Sequence, residues 1–171
     1  MSPRATGRVE RRDGVDLLVL ERTLPLPPAD LWAAVTESAR LARWFASWTG
    51  DPASGHVTVQ MLAEGDDVPP AVYEVRACVP PHRYAVHSSD EYGVWDIELS
   101  VTAAGDSGAT LTFAQVVHDA AALEAVGPGW DYYLDRLVAA ETGGDPAAVS
   151  WDDYHPVLAG HYAAVAATLG G

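Results

Sequence analysis

The sequence predicts an α+β fold in which an antiparallel sheet packs against one long helix near the C-terminus. Between about Val15 and His118, apolar and polar residues alternate in short runs, as expected for strands with one buried face. Prolines bound these runs at roughly ten-residue spacing, which is typical of a sheet of hairpins. From Gly127 to Leu137 the spacing becomes helical, and a long helix that follows strands must lay its apolar side on the sheet.

The first part of the chain predicts a hairpin, a strand and two short helices. Asp13-Gly14 between extended segments is a hairpin signal, and residues 17–24 continue as a strand that prolines end. Residues 30–35 have the apolar spacing of a short helix. Ser38 can cap a second helix, which carries a Trp-Phe pair. Two short helices in tandem are therefore expected after the first long strand.

Five further runs in the middle of the chain alternate as strands. They lie at residues 56–61, 73–78, 84–88, 95–102 and 111–117. In the second run, Tyr73, Val75 and Ala77 form one face, so strict alternation places Cys78 on the other. Together the runs predict an antiparallel sheet of hairpins with one buried face.

The C-terminal part predicts the long helix and a helical extension. A Gly-Pro step at Gly127 fits a helix start, which places Asp131 in the first turn, where the helix dipole favours a carboxylate. By helical spacing, Asp131 and Asp135 lie on the side opposite the aromatic residues. We expect a single domain over residues 1–171, in which residues 145–171 form a helical C-terminal extension.

Composition and charge exclude several classes of partner. The net charge is −14 and all ten basic residues are arginine, so most of the surface should repel nucleic acid and anionic lipid. Cys78 is the single cysteine, which excludes an internal disulfide and a cysteine zinc cluster. No signal peptide and no run of membrane-spanning length are recognisable, so we expect a cytoplasmic protein without membrane insertion.

Catalytic and metal-binding patterns are missing from the sequence. It contains no G-x-S-x-G elbow, no phosphate loop and no H-E-x-x-H helix. The six histidines do not pair at spacings that would place two on one helical face, so no metal site is predicted. His118-Asp119 could orient a general base, but such a step at a strand end is more often a solvated turn. We therefore predict no catalytic residue and no cofactor.

The aromatic residues predict a site for an apolar small molecule. Several of them could point from the sheet and the helices into one space, and plain core packing is the alternative for each one alone. Gln115 is an amide among apolar residues, and a hydrogen bond to the backbone at a bulge would also explain it. Buried Tyr, Trp and Gln polar groups would be costly without partners, which a ligand or water could supply. The predicted ligand-binding residues are Trp44, Phe45, Tyr73, Trp95, Phe113, Gln115, Trp130, Tyr133, Leu134 and Leu137.

Several short motifs together resemble one bacterial family. They are Glu21-Arg22-Thr23-Leu24, Pro28-Ala29-Asp30-Leu31-Trp32, Leu41-Ala42-Arg43-Trp44-Phe45, Pro80-Pro81-His82-Arg83, Thr110-Leu111-Thr112-Phe113 and Gly129-Trp130 through Leu137. In this order they resemble the family named for the activator of heat-shock-protein-90 ATPase, within the START-like and birch-pollen-allergen (SRPBCC) superfamily. The resemblance covers roughly residues 7–142 and extends to residues 151–162. It implies the helix-grip fold, a curved antiparallel sheet around a long C-terminal helix with a cavity between them.

Three functions are compatible with this resemblance. The first is non-enzymatic binding of a hydrophobic small molecule, lipid- or polyketide-like, for example by a stress-linked carrier. The second is a polyketide cyclase or aromatase, which needs ionisable groups inside the cavity, whereas alternation places Glu74, Arg76, Asp96 and Glu98 on the outer face. The third is a partner that stimulates a chaperone ATPase. A homodimer also stays open, because the sequence does not decide the oligomeric state.

Overall fold

A computed structural model describes residues 2–169, which form one eight-stranded antiparallel sheet and four α-helices. The strands are β1 (Arg8–Arg12), β2 (Val15–Leu24), β3 (Ala46–Thr49), β4 (His56–Met61), β5 (Ala71–Val79), β6 (Arg83–Asp90), β7 (Gly93–Ala104) and β8 (Gly108–Val116). The helices are α1 (Pro28–Thr36), α2 (Ser38–Leu41), α3 (Leu123–Glu141) and α4 (Ala159–Ala167). The strand order is β1-β2-β8-β7-β6-β5-β4-β3, with α3 against the inner face. The predicted helix-grip architecture is confirmed.

The register of the sheet aligns apolar side chains into rows on its inner face. Directly opposed partners point to the same side of an antiparallel sheet, so each row can be followed from strand to strand. One such row runs from Leu20 through Phe113, Leu99 and Tyr84 to Cys78. At the β2 and β8 end of the row, Leu20 and Phe113 are buried in the core.

Strand β5 contains a bulge that changes which residues face inward. Val75 pairs with Val86, but Ala77 pairs with Ala85, so Arg76 is an extra residue on β5. Past the bulge, Cys78 lies opposite Tyr84 and therefore on the inner side of the sheet. Strict alternation placed Cys78 outside and Ala77 inside, and both assignments were wrong because one inserted residue reverses the period-two pattern.

Helix α3 begins four residues before the Gly-Pro step that was expected to start it. The Asp119 carboxylate accepts from Ala121 N at 3.0 Å and caps a short 3-10 turn that leads into α3 at Leu123. Pro128 therefore lies inside the helix, where it leaves the carbonyl of Glu124 without its helical partner. Glu124 is exposed, so water can solvate that carbonyl. Asp131 is accordingly not in the first turn, as the sequence suggested.

Ser38 has a different role from the predicted one. It is the first residue of α2 and does not cap that helix with its side chain. Its hydroxyl instead accepts from Trp48 N at 2.9 Å and donates to Trp48 O at 2.8 Å, which holds β3 beside α2. Trp44 and Phe45 lie in the turn after α2, since the helix already ends at Leu41.

The C-terminal segment packs back onto α3 and the N-terminal segment. Tyr162 of α4 is fully buried, its hydroxyl donates to Asp131, and it accepts from Gly7 N at 3.0 Å. His161 donates to the carbonyl of Gly7 at 2.9 Å. Among residues 2–169, no helix combines the length and the apolar character that crossing a membrane requires.

Candidate functional site

An apolar cavity of about 160 Å³ lies between α3 and the inner face of the sheet. The segment between β2 and β4 contributes Val35, Thr36, Leu41, Trp44, Phe45, Trp48 and Pro52. Strands β4 to β8 contribute Val57, Val59, Tyr73, Val75, Cys78, Tyr84, Val86, Ile97, Leu99 and Phe113. Helix α3 contributes Trp130 and Leu134. The cavity therefore occupies the position that the fold leaves between helix and sheet.

Aromatic rings pack against one another in one part of the cavity wall. Trp130 of α3 lies with its ring centroid 4.3 Å from that of Phe113 and 5.6 Å from that of Phe45. Phe45 in turn lies 5.5 Å from Trp44. Pro52 and Cys78 are exposed although they line the cavity, so they mark its mouth. The four rings pack against one another, and the empty volume remains between α3 and the sheet.

Most polar atoms of the wall are bonded away from the empty space. Trp44 Nε1 and Trp48 Nε1 donate to backbone carbonyls of α1 at 3.0 and 2.8 Å, and the Tyr84 hydroxyl donates to a third at 3.2 Å. Trp130 Nε1 donates to Gln115 Oε1 at 2.7 Å. These groups find their partners within the chain, so neither water nor a ligand is needed to satisfy them. What they present to the cavity is ring and aliphatic surface.

Two wall residues, Tyr73 and Cys78, carry polar groups without a hydrogen-bond partner among residues 2–169. Tyr73 is half-buried, and burial together with the negative charges of Asp90 and Glu64 raises the pKa of its hydroxyl to about 12. The hydroxyl therefore stays protonated near neutral pH and can donate a hydrogen bond. Tyr84, by contrast, has its pKa raised by burial but already donates to the backbone.

The predicted site residues divide into two groups in the structure. Trp44, Phe45, Tyr73, Phe113, Trp130 and Leu134 lie on the cavity wall. The other four are not part of the wall. Trp95 Nε1 donates to the Asp90 carboxylate at 3.2 Å, the Tyr133 hydroxyl donates to Glu64 at 2.6 Å, and Leu137 is fully buried in the core.

Gln115, the fourth of these, fixes the Trp130 ring through a hydrogen bond. It is buried on β8 and accepts from the indole N–H, rather than bonding to the backbone at a bulge.

Sequence reasoning missed the aliphatic part of the wall. Val57, Val59, Val75 and Val86 line the cavity, and the alternation of their strands places them on the same face as Tyr73. The alternation carries that signal, but aliphatic residues on a buried strand face are equally typical of plain core packing. Cys78 could not be found in this way, because the bulge reverses the alternation.

A buried charged cluster lies on the other side of α3, away from the cavity wall. Asp131 is 0% exposed and accepts from Arg22 at 2.9 Å, from the Thr6 hydroxyl at 2.5 Å and from Tyr162. Arg22 also donates to Asp135 at 2.9 Å. Burial alone would lower the pKa of Arg22, but the two carboxylates outweigh it and raise that pKa. The cluster links the N-terminal segment, β2, α3 and α4, which is a structural role.

The outer face of the sheet carries a second polar group. Asp96 accepts from His87 Nδ1 at 2.6 Å and from His118 Nε2 at 2.7 Å. His118 thus contacts Asp96 and not Asp119, whose carboxylate caps the turn before α3. No cluster of three or more His, Cys, Asp or Glu in residues 2–169 has the arrangement of a metal site.

The sequence matches one protein family, and the fold matches several solved structures. The sequence model of the family described as Activator of Hsp90 ATPase homolog 1-like protein matches residues 25–141, more than half of the chain, which confirms the resemblance seen in the motifs. No curated protein matches the sequence.

The similar structures include CalU16 from Micromonospora echinospora, with 21% identity over 97% of this chain and 99% of that one, and a TM-score of 0.73. EF2215 from Enterococcus faecalis, described as a conserved protein of unknown function, has 13% identity over 95% and 91%, and a TM-score of 0.69. DynU16, from the dynemicin biosynthetic locus, has 20% identity over 76% and 49%, and a TM-score of 0.58. At these identities the likeness shows the fold alone.

Proposed function

We propose that this chain, which belongs to the Activator of Hsp90 ATPase homolog 1-like family, binds a hydrophobic small molecule in the cavity between α3 and the sheet without transforming it. The observation that carries the proposal is the cavity itself, whose wall is apolar because its Trp and Tyr84 polar atoms bond elsewhere in the chain. Concave, mostly apolar sites with few orienting polar groups are typical of small-molecule binding.

The volume of the cavity limits what it can enclose. A cavity of about 150 Å³ lined by Leu, Ile and Phe takes up benzene in another protein, and this one is about 160 Å³. A single aromatic ring or a short alkyl segment should therefore fit without rearrangement. A longer lipid- or polyketide-like molecule would extend through the mouth between Pro52 and Cys78.

Toluene is a suitable first probe, because it matches this volume and carries no polar group. We expect toluene to raise the melting temperature of the full chain, since a ligand that binds only the folded state stabilises it. Cys78 is the single cysteine and lies at the mouth, so its reaction with a thiol reagent should slow over the same toluene concentrations. Toluene without effect on either measurement would contradict the proposal.

A matched pair of variants on β5 localises the binding. Val75 lines the cavity, whereas Val72 is 60% exposed and lies three residues away, on the other face of the strand. Val75→Phe should fill part of the cavity and abolish the response to toluene. Val72→Phe adds the same ring outside and should leave the response unchanged. An equal response in the two variants would show that toluene binds elsewhere.

A second candidate, a polyketide cyclase or aromatase, is favoured by one observation. Tyr73 and Cys78 are ionisable, line the cavity and have no hydrogen-bond partner within residues 2–169. DynU16, a structural neighbour, belongs to a biosynthetic locus. The test is to add the chain to a minimal polyketide synthase and compare the products with those of Tyr73→Phe. Identical products with and without the chain would count against this candidate. A chaperone-ATPase role rests on the family description alone.

A further inference from the structure

Tyr73 is the polar group in the wall best placed to select a ligand. Its ring lines the cavity, and its hydroxyl has no hydrogen-bond partner among residues 2–169. Tyr73 lies near the start of β5, just after the loop that carries Glu64. Val72 O accepts from Ser88 Oγ at 3.0 Å, so this part of β5 lies beside the end of β6, where Asp90 is located. An apolar site with one free hydroxyl at one end favours a ligand that carries one polar group.

The two carboxylates near Tyr73 are held in place by hydrogen bonds. Glu64, in the loop between β4 and β5, accepts from the buried Tyr133 at 2.6 Å. Asp90, at the turn between β6 and β7, accepts from Trp95 Nε1 and from the backbone N–H groups of Tyr92 and Gly93. These donors fix the positions of both carboxylates near Tyr73.

Within residues 2–169, the cavity wall carries no positive charge, and the Arg136 guanidinium, whose charge reaches Tyr133, is bonded to backbone carbonyls. Among the described residues, the wall contains no arginine and no histidine. The β4–β5 loop adds Asp66 and Asp67, the β6–β7 turn adds Glu91, and neither connection contains a basic residue. An anionic group that entered this end would lose water and gain no ion pair, which is the costly case for a buried charge.

We infer that Tyr73 makes the cavity selective for apolar ligands whose polar group is a neutral hydroxyl or carbonyl or an amine, and that the cavity rejects carboxylic acids such as fatty acids. This inference rests on the proposed function and specifies its ligand class. A hydroxyl or carbonyl can accept the Tyr73 hydrogen bond, and an ammonium group is attracted by Glu64 and Asp90. A carboxylate is repelled by the same two residues.

Toluene and three of its para-substituted derivatives test the selectivity with one constant ring. They are toluene, p-cresol, 4-methylbenzylamine and 4-methylbenzoate, titrated into the full chain at neutral pH by ligand-detected NMR. We expect p-cresol and the amine to bind at least as tightly as toluene, and 4-methylbenzoate to bind at least about tenfold more weakly. If 4-methylbenzoate binds as tightly as p-cresol, the inference is wrong. If none of the four binds, the proposed function itself fails.

Variants of two tyrosines assign the selectivity to a side chain. Tyr73→Phe should weaken p-cresol about two- to tenfold, the usual effect of one lost hydrogen bond, and leave toluene unchanged. Tyr84→Phe is the control, since that hydroxyl lines the same cavity but already donates to Val35 O at 3.2 Å. It should not change the ratio of p-cresol to toluene affinity. An equal effect of the two variants on that ratio would overturn the role of Tyr73.

The negative charge of Glu64 can be removed to test whether it weakens the binding of anions. Glu64 is exposed, so Glu64→Gln removes one negative charge with little effect on packing, and the amide can still accept from Tyr133. In this variant, the ratio of the 4-methylbenzoate to the p-cresol dissociation constant should fall about threefold or more. In the unsubstituted chain, the same ratio should rise at low ionic strength, because less salt screens the repulsion. If this ratio of dissociation constants stays constant in both measurements, Glu64 does not reject anions.

Discussion

Tyr162 occupies a slot that exists because two residues facing it are glycines. A Cβ atom on Gly7 or Gly127 would approach the Tyr162 ring more closely than the 3.0 Å that Cβ atoms keep from other atoms. The ring therefore lies against bare backbone of the N-terminal segment and of α3, and its hydroxyl reaches the buried Asp131. Close approach to a neighbour, and not backbone conformation, is the reason for glycine at both positions.

Two glycines of α3 give a matched pair of predictions. Gly127→Ala should destabilise the chain by about 1–3 kcal/mol, because the new methyl group overlaps a fully buried ring. Gly129→Ala, two residues along the helix, meets nothing within 4 Å and should stabilise by about 0.5–1 kcal/mol through helix propensity. Urea unfolding of both variants measures the difference. Equal free energies of unfolding would show that Tyr162 does not pack against Gly127.

At the scale of elements, the alternation of apolar and polar residues predicts the strands, but it does not predict the bulge in β5 or the first residue of α3. Each expected run between residues 56 and 117 is a strand, since apolar side chains there share one buried face. The Arg76 bulge depends on a contact between strands, and the early start of α3 depends on a local side-chain cap. The bulge is set by pairing with β6, and the start of α3 by the Asp119 cap. Period alone carries neither piece of information.

The candidate site shows the same limit in a different form. Spacing indicates the face on which a side chain lies, but not whether it reaches the cavity or a layer behind it. Trp95 and Tyr133 share faces with wall residues, yet their polar atoms bond to Asp90 and Glu64, and the cavity wall does not include them. The depth of a side chain depends on sheet curvature and on the loops between strands, which the sequence pattern does not encode.

Asp96 connects three strands on the outer face and gives the sheet an acid-sensitive contact. It lies on β7 and accepts from His87 on β6 and from His118 just after β8. Partial burial alone would raise the pKa of Asp96, but the hydrogen bonds from the two histidines outweigh it and lower that pKa below 3.8. A carboxylate with a lowered folded-state pKa stabilises the fold above its unfolded-state pKa and loses this effect as the pH falls.

Asp96→Asn should therefore destabilise the chain near pH 5 and matter less as the pH falls below about 4, where the unfolded-state carboxylate begins to be protonated. Urea unfolding of both chains across this range measures the difference in free energy. A difference that grows toward low pH would contradict the assigned direction of the Asp96 shift.

For the whole molecule, hydrogen bonds from tyrosine to carboxylate connect parts of the chain that are far apart in sequence. Tyr162 of α4 donates to Asp131, Tyr154 donates to Asp135 at 2.6 Å, and Tyr133 reaches Glu64 in a strand connection. In a chain of net charge −14, carboxylates are abundant and arginines few. Tyrosine hydroxyls supply hydrogen-bond donors to carboxylates that have no arginine partner or only one. These contacts hold only while the phenols are protonated.

We therefore expect the chain to unfold cooperatively at alkaline pH. Five of the seven tyrosines, Tyr73, Tyr84, Tyr133, Tyr154 and Tyr162, have their pKa raised above 10.0 by burial and, in four of them, by nearby carboxylates. Their stabilising effect is complete below about pH 10 and is lost as the pH rises through the folded-state values, about 12 for Tyr73.

We expect most of the phenolate absorbance to appear together with loss of the circular dichroism signal, because ionising these residues requires unfolding. The same chain in concentrated urea is the control, and its tyrosines should titrate together near pH 10. If phenolate absorbance in the folded chain follows the urea curve while the circular dichroism stays constant, the tyrosines are accessible to hydroxide. The contacts of Asp131 with Tyr162 and of Asp135 with Tyr154 would then not be what holds the C-terminal segment in place.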